Sequence, residues 1–133
     1  MKKTVIIVLV AIILAGCVKK IDEEQKISDA AYTVVPAEEI PDEFAVKIKE
    51  AQEEAFYLTY ADQGYLYIAR GYGTQPTSGY SISVTELYDT ENTICFHTSL
   101  IGPKQSESVK EVESFPYIVV KMEYMDKKVM FES

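Results

Sequence analysis

From Phe56 onward, apolar residues recur at every second position, and this period constrains the chain more than any other feature. Leu66 and Ile68 alternate with Tyr65, Tyr67 and Ala69. Tyr80, Ile82 and Val84 alternate with Ser81, Ser83 and Thr85, and Ile118, Val120 and Met122 alternate with Tyr117, Val119, Lys121 and Glu123. A period of two is that of half-buried strands. Further strands are expected at Phe56 to Tyr60, Thr93 to Ile101 and Lys128 to Glu132. They are separated by breaks at Asp62-Gln63-Gly64, Thr90-Glu91-Asn92, Gly102-Pro103-Lys104 and Asp126-Lys127. Strands with no long helices between them cannot build parallel crossover units, so the sheet is expected to be mainly antiparallel.

Ahead of the strands the period is helical. Pro41 suits a first turn, Asp42 and Glu43 favour the positive end of a helix dipole, and Ile40, Phe44, Ile48, Ala51 and Ala55 fall on one face. Glu50, Glu53 and Glu54 lie on the wet side, as a docking face for a basic partner or an ordinary solvated surface. The expected architecture is mainly β (α+β), with one N-terminal helix packed on a small antiparallel sandwich or open barrel of about six strands.

The first residues carry an address. Lys2 and Lys3 precede an apolar run from Val5 to Ala15, and Leu14-Ala15-Gly16-Cys17 resembles a bacterial lipobox. The run has about 11 residues where spanning a bilayer takes about 20. Residues 1–16 therefore read as a secretory signal peptide. The resemblance implies cleavage before Cys17, lipid (palmitate-type acylation) on its sulfur, and a protein held at the outer face of a bacterial cell membrane. Two or more acyl chains make such an anchor stable.

Residues 17–36 read as the lipidated cysteine followed by a flexible tether, rich in charge from Lys19 to Asp29, and residues 37–133 as one β-rich domain. The chain has 13 basic and 21 acidic residues. An acidic surface repels nucleic acid and anionic headgroups, so neither is an expected partner. Cys17 and Cys95 are the only cysteines. Lipid on the first leaves the second without a disulfide partner, a thiol best kept buried outside the cell.

Catalytic chemistry is not expected. His97 is the only histidine, and Cys95 is two positions away on the same strand face. A nucleophilic site also needs an orienting group and an oxyanion site, and a zinc site needs three or four ligands. No calcium-loop spacing occurs among the carboxylates. The expectation is a non-enzyme with no metal and no cofactor.

Gly71-Tyr72-Gly73-Thr74-Gln75-Pro76-Thr77-Ser78-Gly79-Tyr80 is the distinctive segment, with three glycines and a proline joining two strands. It is not a phosphate loop: the glycine spacing differs, no lysine follows at the required place, and a strand follows in place of a helix. Two readings stand side by side. The segment is a preordered recognition tip flanked by Tyr72 and Tyr80, or a tightly built hairpin whose residues serve the fold.

Gly73 followed by Pro76-Thr77-Ser78-Gly79-Tyr80-Ser81-Ile82, with the later Phe115-Pro116-Tyr117-Ile118-Val119-Val120-Lys121, resembles the C-terminal domain of the PrcB family of bacterial lipoproteins over about Phe56 to Phe131. Ser78 stands where the family pattern has a second glycine. The family takes its name from a subunit of a cell-surface protease complex. The resemblance thus implies a noncatalytic accessory module that binds an extracytoplasmic protein, with Gly71 to Tyr80 as the candidate loop and Phe115, Pro116 and Tyr117 as a secondary one.

Pro76 to Tyr80 is also similar to a loop of chagasin-type cysteine-protease inhibitors, with Gln75 in place of an asparagine and Phe115-Pro116-Tyr117 matching a second loop in part. That makes inhibition the alternative function. Tyr57, Tyr60, Tyr65, Tyr67, Tyr72, Tyr80 and Tyr88 suggest a third reading, a ligand platform, against the plain reading of tyrosines covering a sheet.

Overall fold

The architecture is a computed structural model that describes residues 28–132. The expected signal peptide, Cys17 and the start of the expected tether lie outside the described residues. Among the described residues no helix is long and apolar enough to cross a membrane.

The elements in order are β1 (Ser28–Asp29), β2 (Tyr32–Val34), a 3-10 turn at Ala37–Glu39, α1 (Asp42–Ala51), β3 (Ala55–Asp62), β4 (Tyr65–Tyr72), β5 (Ser81–Asp89), β6 (Thr93–Ile101), β7 (Tyr117–Glu123) and β8 (Lys128–Glu132). They make two four-stranded sheets, a central one ordered β2-β7-β4-β3 and an outer one ordered β1-β5-β6-β8. All pairings are antiparallel except β6 with β8, which run parallel with Thr93 beside Lys128 and His97 beside Glu132. The sandwich is therefore mainly antiparallel, as the strand period implies, with eight strands where about six were expected.

The two additional strands are β1 and β2, inside the stretch read as a flexible tether. Tyr32, Thr33 and Val34 pair with Met122, Lys121 and Val120, and Ser28 with Asp89. Their side chains are exposed. Edge pairing there uses backbone N–H and C=O groups, which leave no trace in an apolar pattern.

The strand β4 lies at the middle of the molecule and takes a layer on each face. Tyr67 and Ala69 face α1 together with Phe44, Ile48, Phe56 and Val119, while Leu66 and Ile68 face the outer sheet together with Leu87, Ile94, Phe96, Val120 and Met122. Alternation led us to expect a half-buried strand. Both faces are in fact covered, so every residue from Leu66 to Gly71 is buried. Each large apolar side chain enclosed this way contributes about 1.5–3 kcal/mol, an upper figure because the unfolded chain already hides part of that area.

Phe44, fully buried, and Ile48 lie one helical turn apart and fasten α1 to the central sheet. The expected helix ran to Ala55. It ends at Ala51 because the next three residues turn, with Glu54 N–H donating to the Ala51 carbonyl, and Ala55 already pairs with Tyr72 as the first residue of β3. Phe56 then points toward the helix, with its ring over Gly71: a Cβ on Gly71 would stand 2.1 Å from its Cε2. The strand β5 carries a bulge between Val84 and Glu86 that puts both Val84 and Leu87 against the inter-sheet core.

Candidate functional site

Three segments meet at one end of the sandwich: the stretch from Gly71 to Tyr80, the connection from Gly102 to Pro116, and the turn after α1. Gly71 and Tyr72 belong to β4 and Tyr117 opens β7 opposite Gly71, so the loop proper starts at Gly73. The Tyr72 N–H donates to the Pro116 carbonyl at 3.1 Å.

Gly73 has φ +78, and a Cβ there would meet the Ala55 nitrogen at 3.0 Å, so glycine permits both the turn and the close approach to the turn after α1. Thr74 then donates twice to the Glu53 carbonyl, from its backbone N–H at 3.0 Å and its hydroxyl at 2.9 Å.

Beyond Thr74 the two sequence-predicted segments are laced together. Gln75 and Ser114 exchange both backbone hydrogen bonds, at 2.8 and 3.0 Å, and the Ser114 hydroxyl donates to the Thr77 carbonyl at 2.7 Å. The Gln75 amide donates to the Tyr72 carbonyl at 3.1 Å. The Ser78 N–H donates to the Lys110 carbonyl at 3.1 Å, and the Lys110 N–H donates to the Ser78 hydroxyl at 2.8 Å. Ser78 thus uses its side chain as a clamp, a role the glycine of the family pattern could not fill. Gly79 has φ +93, and a Cβ there would press on Pro103 and Val109, each at 3.0 Å.

Most polar groups of the loop are therefore spent on the fold, which favours the tightly built reading for its interior. Its crest is different. Thr74, Pro76 and Gly79 are exposed on top of this lacing, while Tyr80, Phe115, Pro116 and Tyr117 are half-buried. Such a crest meets a partner with little ordering left to do. Sequence reasoning singled out both segments, but their joining depends on the bond from Ser114 to Thr77 and the bridge between Lys110 and Ser78, pairings across 37 and 32 positions that leave no local signal.

Under this end lies a residue that sequence reading missed. Arg70 is 5% exposed and faces the inter-sheet space, its guanidinium 4.3 Å from the Tyr57 ring centroid and 4.0 Å from that of Tyr72. It donates to the Gly71 carbonyl, and the Tyr72 hydroxyl meets the Thr98 hydroxyl at 2.7 Å. An arginine at an inward position of an alternating strand is the only sequence signal for this arrangement.

The seven tyrosines do not form one platform. Tyr60 stacks on Phe44 at 5.3 Å and Tyr67 is buried under α1, Tyr57 and Tyr72 flank Arg70, and Tyr88 lies on the outer face. Tyr65 and Tyr67 share one cation, Lys121, at 4.0 and 5.8 Å.

Cys95 and His97 lie on the outer face of the outer sheet, where no layer of the described residues covers them, and Cys95 is half-buried where a buried thiol was expected. Its neighbours are Thr93, at 3.6 Å, and Tyr88, whose hydroxyl is pushed above its ordinary 10.0 by the hydrogen bond to Cys95 first and by burial second. His97 turns Nδ1 toward Glu132 at 3.6 Å, with its ring 5.6 Å from that of Tyr88. Among the described residues no three His, Cys, Asp or Glu side chains gather as a metal site would require.

Residues 66–123 match the family model described as PrcB C-terminal, a span running from β4 through β7 that contains both laced segments. No curated protein and no solved structure matches the chain.

Proposed function

We propose, from the match of residues 66–123 to the PrcB C-terminal family model, that the protein is a noncatalytic accessory module that binds another extracytoplasmic protein and supports a surface protease complex. The observation that carries this reading is the preordered crest of Thr74, Pro76 and Gly79, held over the β4–β7 end by the bonds between Gln75 and Ser114 and between Ser78 and Lys110. The lipobox-like Leu14 to Cys17 places the module on the outer face of the membrane, where a lipid on Cys17 holds it close to membrane-proximal partners.

A photocrosslinker at position 76, in cells, yields an adduct with one extracytoplasmic protein, and the same group at Thr85, in the exposed bulge of β5, does not. Equal labelling from both positions, or none from position 76, removes the reading. Cys17→Ser is expected to move the protein from the membrane fraction to the soluble one with its fold intact, and retention at the membrane would overturn the anchor.

The side-by-side placement of Thr77 and Ser114, which brings Pro76 to Tyr80 beside Phe115 to Tyr117, favours inhibition of a cysteine protease as the second reading. Slowing of a papain-like protease by the full chain, lost in Pro76→Glu, would support it. An absence of slowing across a panel of such enzymes would end it.

A further inference from the structure

Both sheets end on the same side of the molecule, in β3 and β8, and the outer sheet stops short of covering the central one. Tyr57, Thr59 and Ala61 lie on the face of β3 that looks toward the outer sheet, the face on which the Tyr57 ring meets Phe131 at 4.7 Å. All three are exposed, Tyr57 by 51%. Beside them runs a groove of about 510 Å³ between β3 and β8, whose β8 wall is Lys128, Val129 and Phe131.

Among the described residues β8 pairs with β6 on one side only, and its other edge presents a row of backbone donors and acceptors. Folded proteins blunt such edges with short strands, lysines and other charges, proline, bulges or inward-pointing charges. In Lys128-Val129-Met130-Phe131-Glu132 only the shortness of the strand and the two end charges serve that purpose: it has no proline, and the residues that point inward, Val129 and Phe131, are apolar.

Those ends make the strand complementary to itself. We propose that β8 pairs antiparallel with β8 of a second copy of this chain, about a two-fold axis through Met130. In that register Lys128 faces Glu132 of the other copy at both ends, Val129 faces Phe131, and Met130 faces Met130. The contact is isologous and closes, as a two-fold dimer must. The four β8 charges then form two opposite-charge cross-strand pairs, where a parallel arrangement would set like charges side by side. Lys128 has no ion pair among the described residues, and Glu132 has only the side of His97, so both side chains remain available. Each copy also brings apolar side chains to the groove over Tyr57, Thr59 and Ala61. Anchoring on one membrane would raise the encounter concentration, so a short contact of this kind suffices there.

The test is cysteine crosslinking of the full chain in its own membrane. In a Cys95→Ser background, which removes the native thiol beside residue 130, Met130→Cys places two thiols on the axis and gives an intermolecular disulfide dimer under mild oxidation, while Thr85→Cys, exposed at the bulge of β5, does not. In the Met130→Cys background, Lys128→Glu or Glu132→Lys weakens dimer formation about tenfold by creating like-charge pairs, and combining the two restores it. Circular dichroism of each variant shows whether the fold is kept. Dimer yield no greater than from Thr85→Cys, or failure of the double charge swap to restore it in a folded protein, overturns the proposal. A crosslink from residue 130 to a different polypeptide overturns it as well, since the edge then serves a foreign strand.

Discussion

Arg70 and Lys127 bring positive charge to opposite ends of the sandwich, and the fold satisfies them by different means. Arg70, under the laced loops, lies between the rings of Tyr57 and Tyr72. Lys127, in the connection from β7 to β8, reaches the Asp89 carboxylate at 2.9 Å and the Thr90 carbonyl at 2.7 Å. A planar guanidinium that never loses its proton suits aromatic faces, and a compact ammonium suits a carboxylate. The loop end is thus held in part by ring contacts that no change of pH in the physiological range can switch off. The opposite end depends on a titrating group.

The largest expected effect separates the two ends directly. Arg70→Ala removes a large buried side chain and should lower the unfolding free energy by about 2–5 kcal/mol in urea titrations near neutral pH. A loss well below that range would mean that the Tyr57 and Tyr72 rings close over the space without it.

On the other face of the same strand, Gly71→Ala forces a methyl group into the Phe56 ring and should destabilise by about 1–3 kcal/mol. In a Phe56→Leu background the penalty should shrink, and an unchanged penalty would place the strain elsewhere.

Lys127→Met comes next, at about 1–3 kcal/mol near neutral pH. The hydrogen bond from Lys127 is the main cause that holds the Asp89 carboxyl below its ordinary 3.8, with Ser28 assisting and burial opposing. A lowered folded pKa gives stability that is complete above the ordinary carboxylate range and is lost as the pH falls through the folded value. The gap between wild type and Lys127→Met should therefore close on acidification. A gap that does not narrow as the pH falls would mean that the contact between Lys127 and Asp89 contributes little.

The smallest effect tests the lacing itself. Ser114→Ala loses the bond to the Thr77 carbonyl, at about 0.5–1.5 kcal/mol, and should speed hydrogen exchange at the Gln75 and Ser78 amides without affecting the Asp89 end. Unchanged exchange at those amides would mean that the backbone bridge alone holds the loop.

Much of the fold was legible because local periods report local burial. Phe44 and Ile48 are one turn apart and did mark the buried face of α1; the alternations around Ile68, Ile82 and Val120 did mark strands. The two candidate segments were legible by composition, since glycine and proline punctuate the chain wherever neighbours sit. Three features were not. Tyr32 to Val34 joins the sheet through its backbone, β4 is buried on its second face by a sheet distant in sequence, and Ser114 meets Thr77 across 37 positions. None of these leaves a pattern within a few residues, and local pattern is all that periodicity can register.

The sequence by itself determined where the six strands from β3 to β8 and the buried face of the helix form, where the chain turns, and that the two glycine- and proline-marked segments differ from the rest. These follow from side-chain periodicity and from backbone angles that only certain residues adopt. Tertiary structure alone decided the order of strands, the parallel seating of β8 beside β6, the stacking of Arg70 between two tyrosines, and the joining of the two segments at one end. Those depend on which distant surfaces exclude water from one another, and that choice is made by the whole chain at once.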